Sequence, residues 1–534
     1  MIDNNKRIDD IFSEFVEHIS SSEDDDFIAD DSLIVKLDEA LNRDSLFLKK
    51  LTINDYKRLR DVLISFDERL TVFVADNGYG KTTILDAIAI SLSWLKSNIQ
   101  KGGKPGTYIR ETDINNSEDA QYASIASMFK VQSLNVKLLI TNVKKGLPLK
   151  RSNDLQQIKI LASMYRYVNK YLENSSLPLM AYYSIARSSV GSGVDNKRKS
   201  TKSKFNWSKL DAYDDVYFDK NNFSDFLNWF VFLHNKSYQE SNSKSIYNKE
   251  KLKTEVDDIN HTLHQLESIS NIDDSILTAL KKNRDIKLSI LDSINNDIHA
   301  KSHFENVKEA ILKFLPEFQN IELEYTDRDV VFSLKKNNVT LDIQQLSQGE
   351  KSVLTLVGDL AFRLSLLNPG LINPFEGKGI VLIDEIDLHL HPSWQQKIIQ
   401  RLLETFPNLQ FIISTHSPQV LSTVSSESIR ILEESEDKLG ELKIKAIKPR
   451  YQTRGLINSD ALLYGMKTDP TPPVKEVEWL NQYKILIELN EFDSSDAQEL
   501  RENLDEHFGV EHPLIQECDE LISLMKFKRK LKKI

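Results

Sequence analysis

The chain has 534 residues, more than one hydrophobic core supports, so two or more structural units are expected. Its composition, 40% hydrophobic and 28% charged, can build a core, yet its longest apolar runs fall well short of the roughly 18 residues of a membrane span, and MIDNNKRIDDIFSEF lacks the basic flank and apolar stretch of an export signal. A formal charge of −11 argues against a surface that binds nucleic acid throughout, and Cys518, alone in the sequence, excludes a disulfide framework, a four-cysteine metal site and a CxxC zinc hook; the expected compartment is the cytoplasm.

Residues 1–45 form an acidic extension, densest at SSSEDDDFIADD, that is expected to be mobile or helical. The first part of a main domain runs from 46 to 235. FLKKLTINDY and LISFDERLTVFVADN alternate like paired strands and lead into the buried strand TVFVA. After the loop NGYGK, Ile84, Leu85, Ile88, Leu92 and Leu95 take helical spacing. A second helix and the strand-like LPLMAYYSIARS occupy about 155–190, and FSDFLNWFVFLHN at 223–235 predicts an aromatic-rich helix, with Tyr182, Tyr183, Phe226 and Trp229 in the core.

Between 236 and 304 the composition shifts to Lys, Asn, Ser and Asp. Leu252, Val256, Ile259, Leu263 and Leu266 are spaced 4, 3, 4, 3, the pattern of a coiled-coil seam, and a second helix at about 274–300 follows the break SISNIDD. The simplest shape is an antiparallel helical hairpin inserted into the main domain, with His261 and His264 solvated on it. The main domain resumes over 305–447. IELEYTDRDVVFSLKKNNVTL predicts strands with KNN at a turn; then helix and strand alternate through QGEKSVLTLVGDLAFRLSLL, GIVLIDEI, PSWQQKIIQRLLETF and LQFIISTHS. Short apolar strands separated by helices indicate an α/β fold with a parallel sheet covered on both faces. Residues 448–534 form a helical C-terminal region that contains DPTPPV and ends in the basic KFKRKLKKI. That run and KRKSTKSK at 197–204 are candidates for local nucleic-acid contact, against the simpler reading of a solubilising tail and a solvated loop.

The chemistry concentrates in two stretches. In VFVADNGYGKTT, GYGKT closes the pattern x-x-x-x-G-K-[ST] between a buried strand and a helix, where a phosphate-cradling loop belongs. Asn77, Gly78, Gly80, Lys81, Thr82 and Thr83 would surround a triphosphate, Lys81 reaching the β and γ phosphates and Thr82 offering its hydroxyl oxygen to Mg²⁺. Ala75 replaces the first glycine of the pattern, which is acceptable if its φ is negative, since the closest-approach glycines remain. A tight turn with an exposed lysine would explain this loop alone. In GIVLIDEID, Ile380 to Ile383 carry Asp384 and Glu385 to the carboxyl end of a strand, where α/β sheets place ligands; Asp384 would hold Mg²⁺ and Glu385 would orient and deprotonate the attacking water. Two carboxylates capping the next helix are the plainer alternative, which does not explain the coincidence with a phosphate loop.

With these motifs the sequence resembles the ABC-type ATPases, in the branch of SMC-like and OLD-like proteins: a P-loop ATPase head. LSQGEKS at 346–352 matches that family's LSGGQ or LSGGE signature, with Gln348 in place of the first glycine. The resemblance implies that Ser347 and Gly349, at a helix beginning near Glu350, contact the γ-phosphate bound to another subunit. It implies further that Asp387 in IDLHLHPSWQQ lies on the loop crossing that interface, and that His416 in IISTHSPQV senses the γ-phosphate. The family's lid-loop glutamine has only Gln121 as a candidate. His389 and His391 form an HxH pair without the further ligands that a zinc site needs.

The short hairpin, the LSxGE signature, the HLHP segment and the helical tail together resemble the PtuA ATPases of Septu anti-phage systems and of retrons with the same effector pair. That resemblance implies ATP and Mg²⁺ as cofactors and head-to-tail homo-oligomers. It implies as partners an HNH nuclease of the PtuB type and, in retrons, a reverse transcriptase with its DNA–RNA product. The function expected is an ATP-binding and hydrolysing subunit that regulates the nuclease and has no nuclease activity itself. The alternative is an SMC-like repair ATPase that tethers DNA or recognises its ends without a nuclease partner. A transporter ATPase fits the long insertion less well.

Overall fold

The computed structural model describes residues 8–20, 30–148, 151–184, 209–213, 227, 229–235, 244–267, 277, 280–284, 287–288, 303–325, 330–336, 338–436 and 442–531. Phe226, the basic run at 197–204 and the second arm expected at 274–300, apart from a few positions, lie outside them. Two compact units divide between Leu456 and Ile457.

The first unit is built on a six-stranded sheet whose central strands are mostly apolar, as strands buried on both faces tend to be. β3 (Leu70–Val74), β10 (Gly379–Ile383) and β11 (Leu409–Thr415) are buried at every position. They are joined by β6 (Leu179–Tyr183), β12 (Ile429–Glu436) and β13 (Leu442–Ile447) in the order β13-β12-β3-β11-β10-β6, parallel except for β13. The register pairs Ile383 with both Tyr183 and Ile413, and Thr415 with Val74. Ala75, Asp384 and His416 therefore leave the sheet along one edge.

β1 (Phe47–Asn54), β2 (Val62–Ser65), β4 (Tyr122–Val131) and β5 (Leu134–Val143) make a second, antiparallel sheet in the order β2-β1-β4-β5. Buried Gln410 joins the two sheets: its Oε1 accepts from Leu48 N at 2.8 Å, and its Nε2 donates to the Leu48 and Asp67 carbonyls. β7 (Phe318–Tyr325), β8 (Val330–Lys336) and β9 (Val339–Asp342) form a meander, and Asn338 of the KNN turn takes a φ of 65°.

Two helices flank the motifs, α3 (Lys81–Gln100) after the glycine loop and α6 (Gln348–Leu367) after the signature, the latter buried from Val353 onward. The acidic extension forms two packed helices, α1 (Ile8–Ser20) and α2 (Asp31–Arg43). Phe15 meets Tyr167 of α4 (Gln156–Tyr171) at 5.5 Å between ring centroids, and the Tyr167 hydroxyl accepts from Asp30 N. The expected seam is present on α5 (Lys244–Glu267), where Val256 and Leu263 are buried and His261 is exposed; Glu255 pairs with Lys287. PSWQQKIIQRLLETF is not one helix. Pro392–Gln395 makes a single turn, Trp394 C=O accepts from Lys397 N in a tighter closure, and α7 restarts at Ile398–Thr405.

The second unit packs α8 (Lys475–Glu488), α9 (Ser495–Phe508) and α10 (Pro513–Leu531) around Leu480, Tyr483, Ile487, Phe492, Leu504, Ile515 and Cys518. Arg501 of α9 bonds Asp505 on its own helix and Asp519 on α10, while Ser494 caps α9 through Ala497 N.

Candidate functional site

The glycine loop leaves β3 through Ala75, which is buried and keeps its φ out of the positive region, so the missing glycine demands nothing the methyl forbids. Gly78 and Gly80 do need to be glycine, with φ of 85° and 91°; a Cβ on Gly80 would also stand 2.8 Å from Leu59 Cδ2. Gly80 is the residue before the first turn of α3, so the amides that open this helix face the loop. Asn77 and Gly78 are exposed, Thr82 is exposed and Thr83 half-buried beyond them.

Lys81 is buried and folds back over its own loop, donating from Nζ to the carbonyl oxygens of Ala75 at 2.8 Å and Asp76 at 3.2 Å. Burial pushes its pKa down, while Glu385, Asp384, Asp76 and Asp387 pull it back up. Four carboxylates thus act on the Lys81 ammonium, and burial outweighs them. Across the sheet edge, Thr82 Oγ1 donates to Asp384 Oδ2 at 2.7 Å. The two Mg²⁺-ligand candidates, 302 residues apart in sequence, touch through the oxygens that a hard cation would use.

β11 supplies the fastening that the sequence analysis missed. Ser414 Oγ bonds the other Asp384 oxygen and accepts from Glu385 N at 2.8 Å. Glu385 itself takes a φ of 46°, an uncommon left-handed conformation for this residue type that turns it out of the line of β10. Thr415 Oγ1 bonds Asp387 Oδ1, which also accepts from His416 N at 3.3 Å. His416 is half-buried, and burial followed by the charge of Lys81 lowers its pKa against the opposing pull of Asp387, Glu385 and Asp76. Only the adjacency of IISTHS to the histidine hinted at these two hydroxyls.

Ser347, Gly349 and Glu350 stand at the start of α6, where they satisfy the helix itself. Ser347 Oγ accepts from Glu350 N at 3.3 Å, and Glu350 Oε2 accepts from Ser347 N at 2.9 Å, a reciprocal capping box. Lys336 of β8 holds the second Glu350 oxygen at 2.7 Å. Burial raises the Glu350 pKa, but the bonds from Lys336 and Ser347 outweigh it and hold the carboxyl below its ordinary range. Gly349 is needed for contact within the chain: a Cβ there would lie 2.6 Å from the carbonyl oxygen of His389, in the loop that follows Asp387. His389 has a φ of 63°, and His391 caps the Pro392 turn by accepting from Ser393 N.

A further residue missed in the sequence is Arg58, which reaches over the glycine loop, donates to the Gly78 carbonyl at 3.1 Å and pairs with Glu434 of β12 at 2.6 Å. Gln121, the lid candidate, immediately precedes β4 of the antiparallel sheet, exposed, its carbonyl accepting from Lys144 N. The backbone beside Asp384 belongs instead to the end of β6, where Tyr183 C=O accepts the Asp384 N–H at 2.9 Å.

Residues 47–421, more than half of the chain, match the family described as the AAA ATPase domain. The retron Ec83 probable ATPase of Escherichia coli is 32% identical over 470 residues, covering 87% of this chain and 84% of that protein. The chain belongs to this ATPase family. The retron Vc95 probable ATPase of Vibrio cholerae is 30% identical over 485 residues, 88% of each chain. The Septu protein PtuA of Bacillus mycoides is 29% identical over 172 residues, 32% of this chain and 23% of that protein. The matched region of the family contains every motif residue described above, from Lys81 to His416. Among the described residues, no helix is long and apolar enough to cross a membrane.

Proposed function

We propose that the chain binds and hydrolyses ATP as the regulatory subunit of an anti-phage defence complex, and that nucleotide-dependent pairing of its subunits governs a partner nuclease of the HNH class. The observation that supports this most is the meeting of Thr82 and Asp384 beside Lys81, Glu385 and His416 on one sheet edge. The retron and Septu relatives support the defence setting.

In this reading Lys81 exchanges the Ala75 and Asp76 carbonyls for β and γ phosphate oxygens. Thr82 and Asp384 hold Mg²⁺, which when bound neutralises charge developing on the phosphates. Glu385 takes the proton of a water whose oxygen bonds the γ-phosphorus as the bond to the β–γ bridging oxygen breaks. His416 hydrogen-bonds the transferred phosphoryl group. Asp387, fixed by Thr415 and by His416 N, sits where a neighbouring subunit would meet the site. Ser347, with Gly349 and Glu350 behind it, completes the triphosphate site of that neighbour from the start of α6. In a retron setting the reverse transcriptase and its DNA–RNA product would join the same assembly.

Lys81→Ala tests the reading. It is expected to abolish ATP hydrolysis by the purified chain and protection of cells against phage, while the protein still co-purifies with an HNH nuclease co-expressed as its partner. Wild-type hydrolysis or undiminished protection in Lys81→Ala would overturn it.

A further inference from the structure

The body of α6 is tied to the catalytic edge by buried polar contacts that ATP hydrolysis as described does not use. Tyr183, the last residue of β6, is tied at both its backbone and its side chain. Its carbonyl accepts the Asp384 N–H at 2.9 Å and so fixes where that carboxylate leaves β10. Its hydroxyl donates to Asp359 Oδ2, in the middle of α6, at 2.6 Å. Arg363, one turn on, grips the same carboxylate from Nε at 3.0 and 2.9 Å and donates from Nη1 to the Ala212 carbonyl at 2.7 Å. Tyr183, Asp359 and Arg363 are all buried. Leu177 N–H, in the lead-in to β6, bonds the Leu367 carbonyl at 3.1 Å and holds the far end of the helix to the same strand.

A buried ion pair is a poor device for stability alone, because apolar residues of similar volume hold a helix to a strand at least as well. What it adds is a fixed geometry. From Asp359 back to Ser347 the helix runs about 18 Å, and its first turn rests on the His389 carbonyl so closely that only glycine fits at 349. The signature helix is thus a rod held at its middle by the residue that seats Asp384 and at its start by the loop that follows Asp387.

Building on the ATPase reading, we propose that Tyr183 is a positioning residue. Through Asp359 it links the seat of Asp384 to the Ser347 end of α6, so that the state of a chain's own Mg²⁺ site sets the position of the serine it presents to its neighbour's triphosphate. Tyr183→Phe removes one hydroxyl and leaves Asp359 with Arg363, so packing and charge balance survive.

The full-length Tyr183→Phe variant is expected to keep its affinity for a fluorescent ATP analogue within about twofold, because Lys81 and Thr82 are untouched, and to lose about tenfold in kcat. A merely structural role would lower both together or neither. In a Ser347→Ala background, Tyr183→Phe is expected to cost less than about twofold more, since both changes interrupt one route. An unchanged kcat in Tyr183→Phe, or losses that multiply in the double variant, would overturn the link. If Tyr183→Phe fails to fold, Tyr183→Met, which likewise removes the hydroxyl and leaves Asp359 paired with Arg363, takes its place with the same kcat-only loss expected and the same reversal. Lys81→Ala run alongside separates the two readings: inactive Lys81→Ala with normal Tyr183→Phe removes only the link, whereas active Lys81→Ala removes the ATPase reading.

Discussion

At the catalytic edge, side chains from distant segments reach one another: Thr82 meets Asp384, Ser414 meets Asp384, and Thr415 meets Asp387. At the signature end the bonds are local. Ser347 and Glu350 satisfy each other, and Lys336 from the adjoining meander holds the remaining Glu350 oxygen. In the composite site proposed above, one half has its side chains already bonded to one another across segments, its dipoles aimed at one place, which is how an active site avoids reorganising at the moment of reaction. The other half is complete in itself, and its serine can serve a phosphate only by loosening its hold on Glu350. In the proposed mechanism this difference would put the conformational step in the signature half and the chemistry in the phosphate-loop half.

The largest effect expected from this contrast is on Glu385. Glu385→Gln keeps Lys81, Thr82 and Asp384 and removes only the proton acceptor, so kcat should fall by about 10² to 10⁴ while ATP binding persists. Size measurement with and without ATP should then show a larger, nucleotide-dependent assembly for this variant. Fast hydrolysis by Glu385→Gln would move the general base elsewhere, and a size indifferent to ATP would leave Ser347 without a triphosphate to complete. A smaller effect is expected at Gly349. Gly→Ala inside a helix normally stabilises by about 0.5–1 kcal/mol, but here the new methyl meets the His389 carbonyl at 2.6 Å. Overpacking of that kind costs about 1–3 kcal/mol. Gly349→Ala should lower the melting temperature and reduce hydrolysis while leaving nucleotide affinity near wild type. A variant as stable and active as wild type would show that α6 and the His389 loop move apart freely.

The same contrast explains what was legible in the sequence. The central strands announce themselves because burial on both faces favours short, mostly apolar runs, as in GIVLI and LTVFV. The phosphate loop survives Ala75 because the positions with positive φ, Gly78 and Gly80, are the ones the local pattern requires. Fastenings between segments carry no such spacing. Ser414 on Asp384, Tyr183 on Asp359 and Gln410 on Leu48 join residues that only the sheet order brings together, so their identities mean little until the fold is known. The broken helix after His391 was misread for a related reason: apolar periodicity runs through PSWQQKIIQRLLETF, while the tight closure on the Trp394 carbonyl does not show in periodicity.

The smallest effect expected is a fraction of a proton, and it reports on the assembled half directly. Burial first, then the charge of Lys81, hold the His416 imidazole below its ordinary pKa, which favours the neutral ring before a triphosphate binds. A bound triphosphate adds negative charge and neutralises Lys81, and both changes favour the imidazolium. The pKa of His416 therefore rises on binding. Well below the empty-site value the ring is charged in both states, and well above the bound value it is neutral in both. Between the two, binding takes up a proton and affinity weakens as pH rises, over a window that opens below about 6.5. Calorimetric titration with Mg·ATP at pH 6, in two buffers of different ionisation enthalpy, should show net uptake that His416→Gln abolishes. Uptake that persists in His416→Gln belongs to another group, and its absence from the wild type would mean that His416 does not meet the phosphates, leaving the assembled half to Lys81, Thr82, Asp384 and Glu385 alone.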